Sequence, residues 1–82
     1  MKLNLTIRKE GNITFIDFFG RLEIGESVEF FRRTIRQQVK DGSLKFIWNL
    51  KMLEYCDSYA LGALVSETTF VRSKGGDVKL VR

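Results

Sequence analysis

A hydroxyl and a carboxylate placed side by side where an apolar stretch gives way to a new helix are the residues with most to offer chemically. These are Asp57 and Ser58, preceded by Leu53-Glu54-Tyr55-Cys56 and followed by Tyr59-Ala60-Leu61-Gly62. Both side chains carry oxygens that can accept hydrogen bonds from the free N–H groups of a first helical turn. Position alone makes Ser58 an N-cap. A phosphate there would add a charge of about −1.5 to −2 at the positive end of a helix, which would accommodate it locally while changing the surface a partner meets.

Other chemistries find little support. The chain has no histidine, so the commonest general base and metal ligand is missing. The one cysteine, Cys56, excludes an internal disulfide framework and is expected to be a buried structural thiol facing the interior. No cluster has metal-ligand spacing, no nucleophile has a histidine partner, and Gly75-Gly76 reads as a turn, not a phosphate cradle. The expectation is a binding protein, not an enzyme, with no cofactor and no metal. No apolar run of about 18 residues could span a membrane, and the start Met1-Lys2-Leu3-Asn4 lacks a secretory signal's apolar core, which points to a cytoplasmic protein. The formal net charge of +4 is dispersed along the chain and makes nucleic acid a weak candidate partner.

The elements that must position Asp57 and Ser58 follow from periodicity. The 82 residues suffice for one domain spanning 1–82, with one sheet and two or three helices. Leu3, Leu5 and Ile7 alternate with polar residues as in an edge or outer strand. Gly11-Asn12 turns the chain into Ile13–Phe19, which is apolar on both alternations and so more central, the two strands forming a hairpin. Gly20-Arg21-Leu22-Glu23 breaks the strand, and Glu26-Ser27 caps a helix running to about Lys40. Val28, Phe31, Ile35 and Val39 share its inner face. Its cations Arg32, Arg33, Arg36 and Lys40 form either a basic docking patch or a solvated face helped by a Glu29–Arg33 pair. Asp41-Gly42-Ser43 ends that helix, and Lys45 to about Leu50 is a buried strand. A second helix runs from about Ser58 to Ser73, with Leu61, Leu64, Val65, Thr68 and Val71 as its inner face, and Val78 and Leu80 begin a last strand. Trp48, Phe15, Phe18 and Phe46 read as core aromatics.

Asp57-Ser58-Tyr59-Ala60-Leu61-Gly62 resembles the D-S-S-G-L-G signature of STAS domains, the anti-sigma-factor antagonist family. The likeness extends to Gly20-Arg21-Leu22-Glu23, where the family has G-x-L-D, to Phe46-Ile47-Trp48-Asn49-Leu50, and to Gly75-Gly76-Asp77-Val78-Lys79-Leu80. It implies an α/β domain of STAS-like fold, β-β-α-β-α-β, a mixed sheet with helices packed on it and later strands parallel. It also implies that a serine kinase, itself the anti-sigma-factor partner, phosphorylates Ser58 and is thereby released. Asp57 is then a carboxylate that orients the hydroxyl or helps the kinase, or a plain cap. Glu23 replaces the family's aspartate, one methylene longer, on the loop near Ser58. Tyr59 and Ala60 replace the second serine and the glycine, which suits a retuned partner or a domain that kept the fold without the switch. The second function class is accordingly a non-switching scaffold, such as a regulatory module of a transporter or lipid-transport assembly.

Tyr59, Ala63, Ser66 and Phe70 fall on one helical stripe opposite the expected inner face, so together with Glu23, Asp57 and Ser58 they are the candidate partner surface. STAS domains usually continue past this strand with further helices and a strand, whereas this sequence stops at Arg82. Apolar surface left uncovered then favours a homo-oligomer through the sheet edge or the open face.

Overall fold

A computed structural model describes residues 2–82. Its elements are β1 (Asn4–Glu10), β2 (Ile13–Leu22), α1 (Glu26–Lys40), β3 (Lys45–Asn49), β4 (Leu53–Cys56), α2 (Ser58–Ser73) and β5 (Asp77–Val81). The hairpin forms as expected: β1 pairs antiparallel with β2, while β3 and β5 add in parallel to give the order β1-β2-β3-β5. The expected pattern has one strand too few. Leu53–Cys56 is a fourth, short strand that pairs in parallel with the far end of β2, Gly20 to Leu22, with a register irregularity between Gly20 and Arg21. This strand delivers the chain to Asp57 alongside the loop that leaves β2.

Both helices lie on one face of the sheet. Along β2 the residues alternate, with Ile16, Phe18 and Leu22 fully buried and Phe15, Asp17 and Phe19 only partly covered on the other face. Phe15 is therefore not a core aromatic; it sits on the open face beneath the Arg8 guanidinium, 4.2 Å from its ring centre. The buried centre is an aromatic cluster in which Phe31 of α1 meets Phe18 at 5.5 Å and Trp48 edge-on at 5.3 Å, with Phe46 beside Trp48. Such tilted pairs contribute beyond the area they bury.

Val28, Phe31 and Ile35 of α1 are buried as their spacing requires, and Val39 packs at the core's margin. Its N-terminus differs from expectation. Gly25, at φ 110°, precedes the helix and provides no side-chain cap, while the Ser27 hydroxyl turns back to donate to the Glu23 carbonyl and accept from the Glu23 N–H, both at 2.8 Å. Ser27 thus fixes the β2–α1 loop and does not cap α1.

The phase of α2 is also rotated from the one its apolar letters suggest. Ala60, Ala63, Leu64, Glu67, Thr68 and Val71 are buried, whereas Leu61 and Val65 stand about 60% exposed. Two alanines let the helix approach closely, and the buried Glu67 is ion-paired with Arg32 and Arg36 of α1.

Candidate functional site

Asp57 joins three segments. Its own N–H donates to the Leu22 carbonyl at 3.3 Å, one carboxylate oxygen accepts from the Ala60 N–H at 2.7 Å, and the other accepts from the Ile24 N–H at 2.9 Å. The Ala60 bond caps α2, and the Ile24 bond holds the β2–α1 loop against it. The Ile24 and Ala60 amides together hold the Asp57 carboxyl below the usual carboxylate range. Asp57, not Ser58, is the N-cap.

Ser58 is consequently the first residue of α2, exposed, and its hydroxyl makes no hydrogen bond with the described residues. Tyr59 follows, 48% exposed, while Ala60 is fully buried against the core. Glu23 does not reach Ser58. Its carboxylate takes Arg21 Nε at 3.1 Å, and the Arg21 guanidinium lies 4.1 Å from the centre of the Tyr55 ring. Glu23, Asp57, Ser58 and Tyr59 are thus gathered at the end of the sheet where β2 and β4 finish.

The rest of the expected partner stripe is elsewhere. Ala63 is 1% exposed and cannot meet a partner, because it lies in the packed core. Ser66 and Phe70 line the seam with α1: Ser66 accepts from Arg32 at 3.0 Å, and Arg36 lies 3.7 Å over the Phe70 ring. At the centre of that seam Glu67, with no exposed surface, is clamped by Arg32 at 2.7 Å and by two N–H groups of Arg36 at 2.9 and 3.1 Å. The Glu29–Arg33 pair is not formed among the described residues. The signal in the sequence for Glu67 is that it is the one acidic residue of a helix that is apolar, glycine or hydroxylic up to Arg72, with Arg32 and Arg36 four apart on the other helix. Such a carboxylate is buried only if paired.

Cys56 does not face the interior. It is exposed at the end of the short strand β4, and partial desolvation of its thiol, with the nearby Asp57 charge, pushes its pKa up, away from reactivity. It lines an apolar groove with Leu53, Leu61, Leu64, Val65 and Leu80. No group of three or more metal-ligating side chains exists among the described residues, and no helix is long and apolar enough to cross a membrane.

Residues 4–82 match the STAS domain family model. Among solved structures, the anti-sigma factor antagonist SpoIIAA in its unphosphorylated form superposes with TM-score 0.76 at 23% identity, covering 94% of this chain and 71% of its own. An antisigma-factor antagonist STAS domain from Rhodobacter sphaeroides gives 0.78 at 18% identity, covering 98% and 86%. The crystal structure of Mglu gives 0.81 at 16% identity over 92% of this chain, which spans only 18% of the Mglu chain. At these identities the likeness establishes a shared fold. No curated protein matches the sequence.

Proposed function

The chain belongs to the STAS domain family, and on that premise we propose that it is a protein-interaction module, an anti-sigma-factor antagonist that binds a serine-kinase anti-sigma factor and is switched by phosphorylation of Ser58. It works by binding, in the cytoplasm of a bacterium, and carries out no catalysis. The observation that carries this reading is the division of labour at the head of α2: Asp57 supplies the cap, leaving the adjacent Ser58 hydroxyl exposed and uncommitted. The solved phosphorylated and unphosphorylated forms of SpoIIAA lend support by analogy of fold. A phosphate on Ser58 would stand beside a carboxylate already held ionised by two amides, concentrating negative charge where the unmodified surface offers Tyr59 and the Ile24 loop. A partner packed against that surface would lose affinity through charge and bulk.

The exposed Tyr59 ring favours a second reading, a non-switching scaffold, because a large amphipathic side chain beside Ser58 is a constitutive contact. One experiment separates the two. Wild type, Ser58→Ala and Ser58→Asp are used in quantitative pull-downs from the native cytosol after each is checked for folding. Retention of a kinase-type anti-sigma factor by wild type and Ser58→Ala, with release by Ser58→Asp, is the expected result. Equal retention of one partner by all three would replace the switch with the scaffold.

A further inference from the structure

A second feature, away from Ser58, is organised by the buried Glu67. Three cations of α1 form a row at four-residue spacing, Arg32-Arg36-Lys40, with Arg33 and the neutral Gln37 in the neighbouring row, and these five residues line one shallow groove. Arg32 and Arg36 are not free to wander. Glu67, fully buried, holds both guanidiniums, and the Phe70 ring supports Arg36 from below. Nε and Nη2 of Arg32 and Nη1 of Arg36 donate to nothing among the described residues, and the two side chains keep 31% and 50% of their surface in solvent. Arg33 and Lys40 are exposed without a carboxylate partner among the described residues; Gln37 donates to Asp41 at 3.0 Å. Counting Glu67, the groove holds a net three positive charges. Ordered guanidiniums that keep uncommitted N–H groups lose less entropy on binding a carboxylate than mobile ones.

We propose that this α1 groove is a docking site for an acidic helix of a partner protein, one with carboxylates at four-residue intervals, and that Glu67 is the residue that positions its two arginines. Rows of side chains four apart lie about 6 Å from residue to residue along a helix, on the donor face and on the incoming helix alike. Ridges of that spacing interdigitate when two helices pack. The patch runs only from Arg32 to Lys40, about 12 Å of helix, too short to track the several phosphates on which nucleic-acid binding depends. The site is independent of Ser58.

The test uses the intact protein and four probes followed by calorimetric titration at fixed salt: a short helical peptide with glutamate at every fourth position, a scrambled peptide of the same composition, a short DNA duplex, and inorganic phosphate. The periodic peptide is expected to bind best. Arg33→Gln combined with Lys40→Gln, both exposed and structurally uncommitted, should weaken it about tenfold. Glu67→Gln is the decisive variant, with its fold verified by thermal unfolding. It raises the net charge, so a merely basic surface would bind the peptide more tightly; a groove pre-ordered by Glu67 must bind it less tightly. Binding ranked by charge alone, tighter binding by Glu67→Gln, or no binding of the periodic peptide each overturns the proposal.

Discussion

At the scale of single residues, Asp57 and Ser58 should separate cleanly when each is replaced. Because Ser58 Oγ caps nothing, Ser58→Ala should leave stability within about 0.5 kcal/mol of wild type in urea unfolding. Asp57→Ala loses a helix cap and the bond to Ile24 together, and its thermal midpoint should fall by several degrees. The pH dependence has a definite sign. Asp57's carboxyl is held below its unfolded value of about 3.9, so its contribution to stability is present above that pH and is lost as the pH falls through the lower folded value. Acid unfolding curves of Asp57→Asn should lack this component. That one of the two residues caps a helix was legible in the letters; which one was not, since both oxygens can accept from the same turn. The two-sided reach of a carboxylate, to Ala60 and to Ile24, decided it, and Ile24 lies 33 residues away in sequence.

At the scale of elements, α2 shows why a helix rich in apolar letters is hard to orient. Leu61 and Val65 outweigh Ala60 and Ala63 in any count of hydrophobicity, yet the alanines are buried because a small side chain lets the helix backbone close on the sheet and on α1. Glu67 then completes the inner face through a contact with residues more than 30 positions away, which no local pattern contains. By contrast α1 buries Val28, Phe31 and Ile35 as their spacing indicates, with Val39 partly buried at the core's margin. The clamp predicts an asymmetry. Removing both Arg32 and Arg36 by alanine leaves a carboxylate buried without compensation and should cost about 3–5 kcal/mol. Glu67→Gln leaves two guanidiniums that can turn to solvent and should cost less, about 1–3 kcal/mol, both read from urea midpoints. The end of α2 is equally specific: a Cβ on Gly76 would run into the Leu44 carbonyl and crowd Val71, so Gly76→Ala should be destabilising by about 1–3 kcal/mol in the same assay.

At the scale of the whole molecule, the strand order and the one-sided packing leave the protein with distinct surfaces. The hairpin and parallel strands followed from alternation and turn residues, but the short strand β4 was hidden because it is only four residues long and mostly exposed, so it carries almost no hydrophobic period. Its position matters beyond topology. Leu53 and Cys56 on β4, Leu80 on β5, and Leu61 and Val65 on α2 border one groove, and β5 pairs with β3 alone, leaving its other edge open among the described residues. The groove's lining includes Glu54 and Arg82, opposite charges of the kind that can pair reciprocally between two copies. The expectation is association of two copies at high concentration, seen as a rise in apparent mass by light scattering. Leu61→Ser with Val65→Ser should abolish that rise while leaving the unfolding midpoint nearly unchanged, since both side chains are already mostly in water. A wild type that stays monomeric throughout would assign these side chains to no second copy. A double variant that unfolds early would show instead that they support the fold.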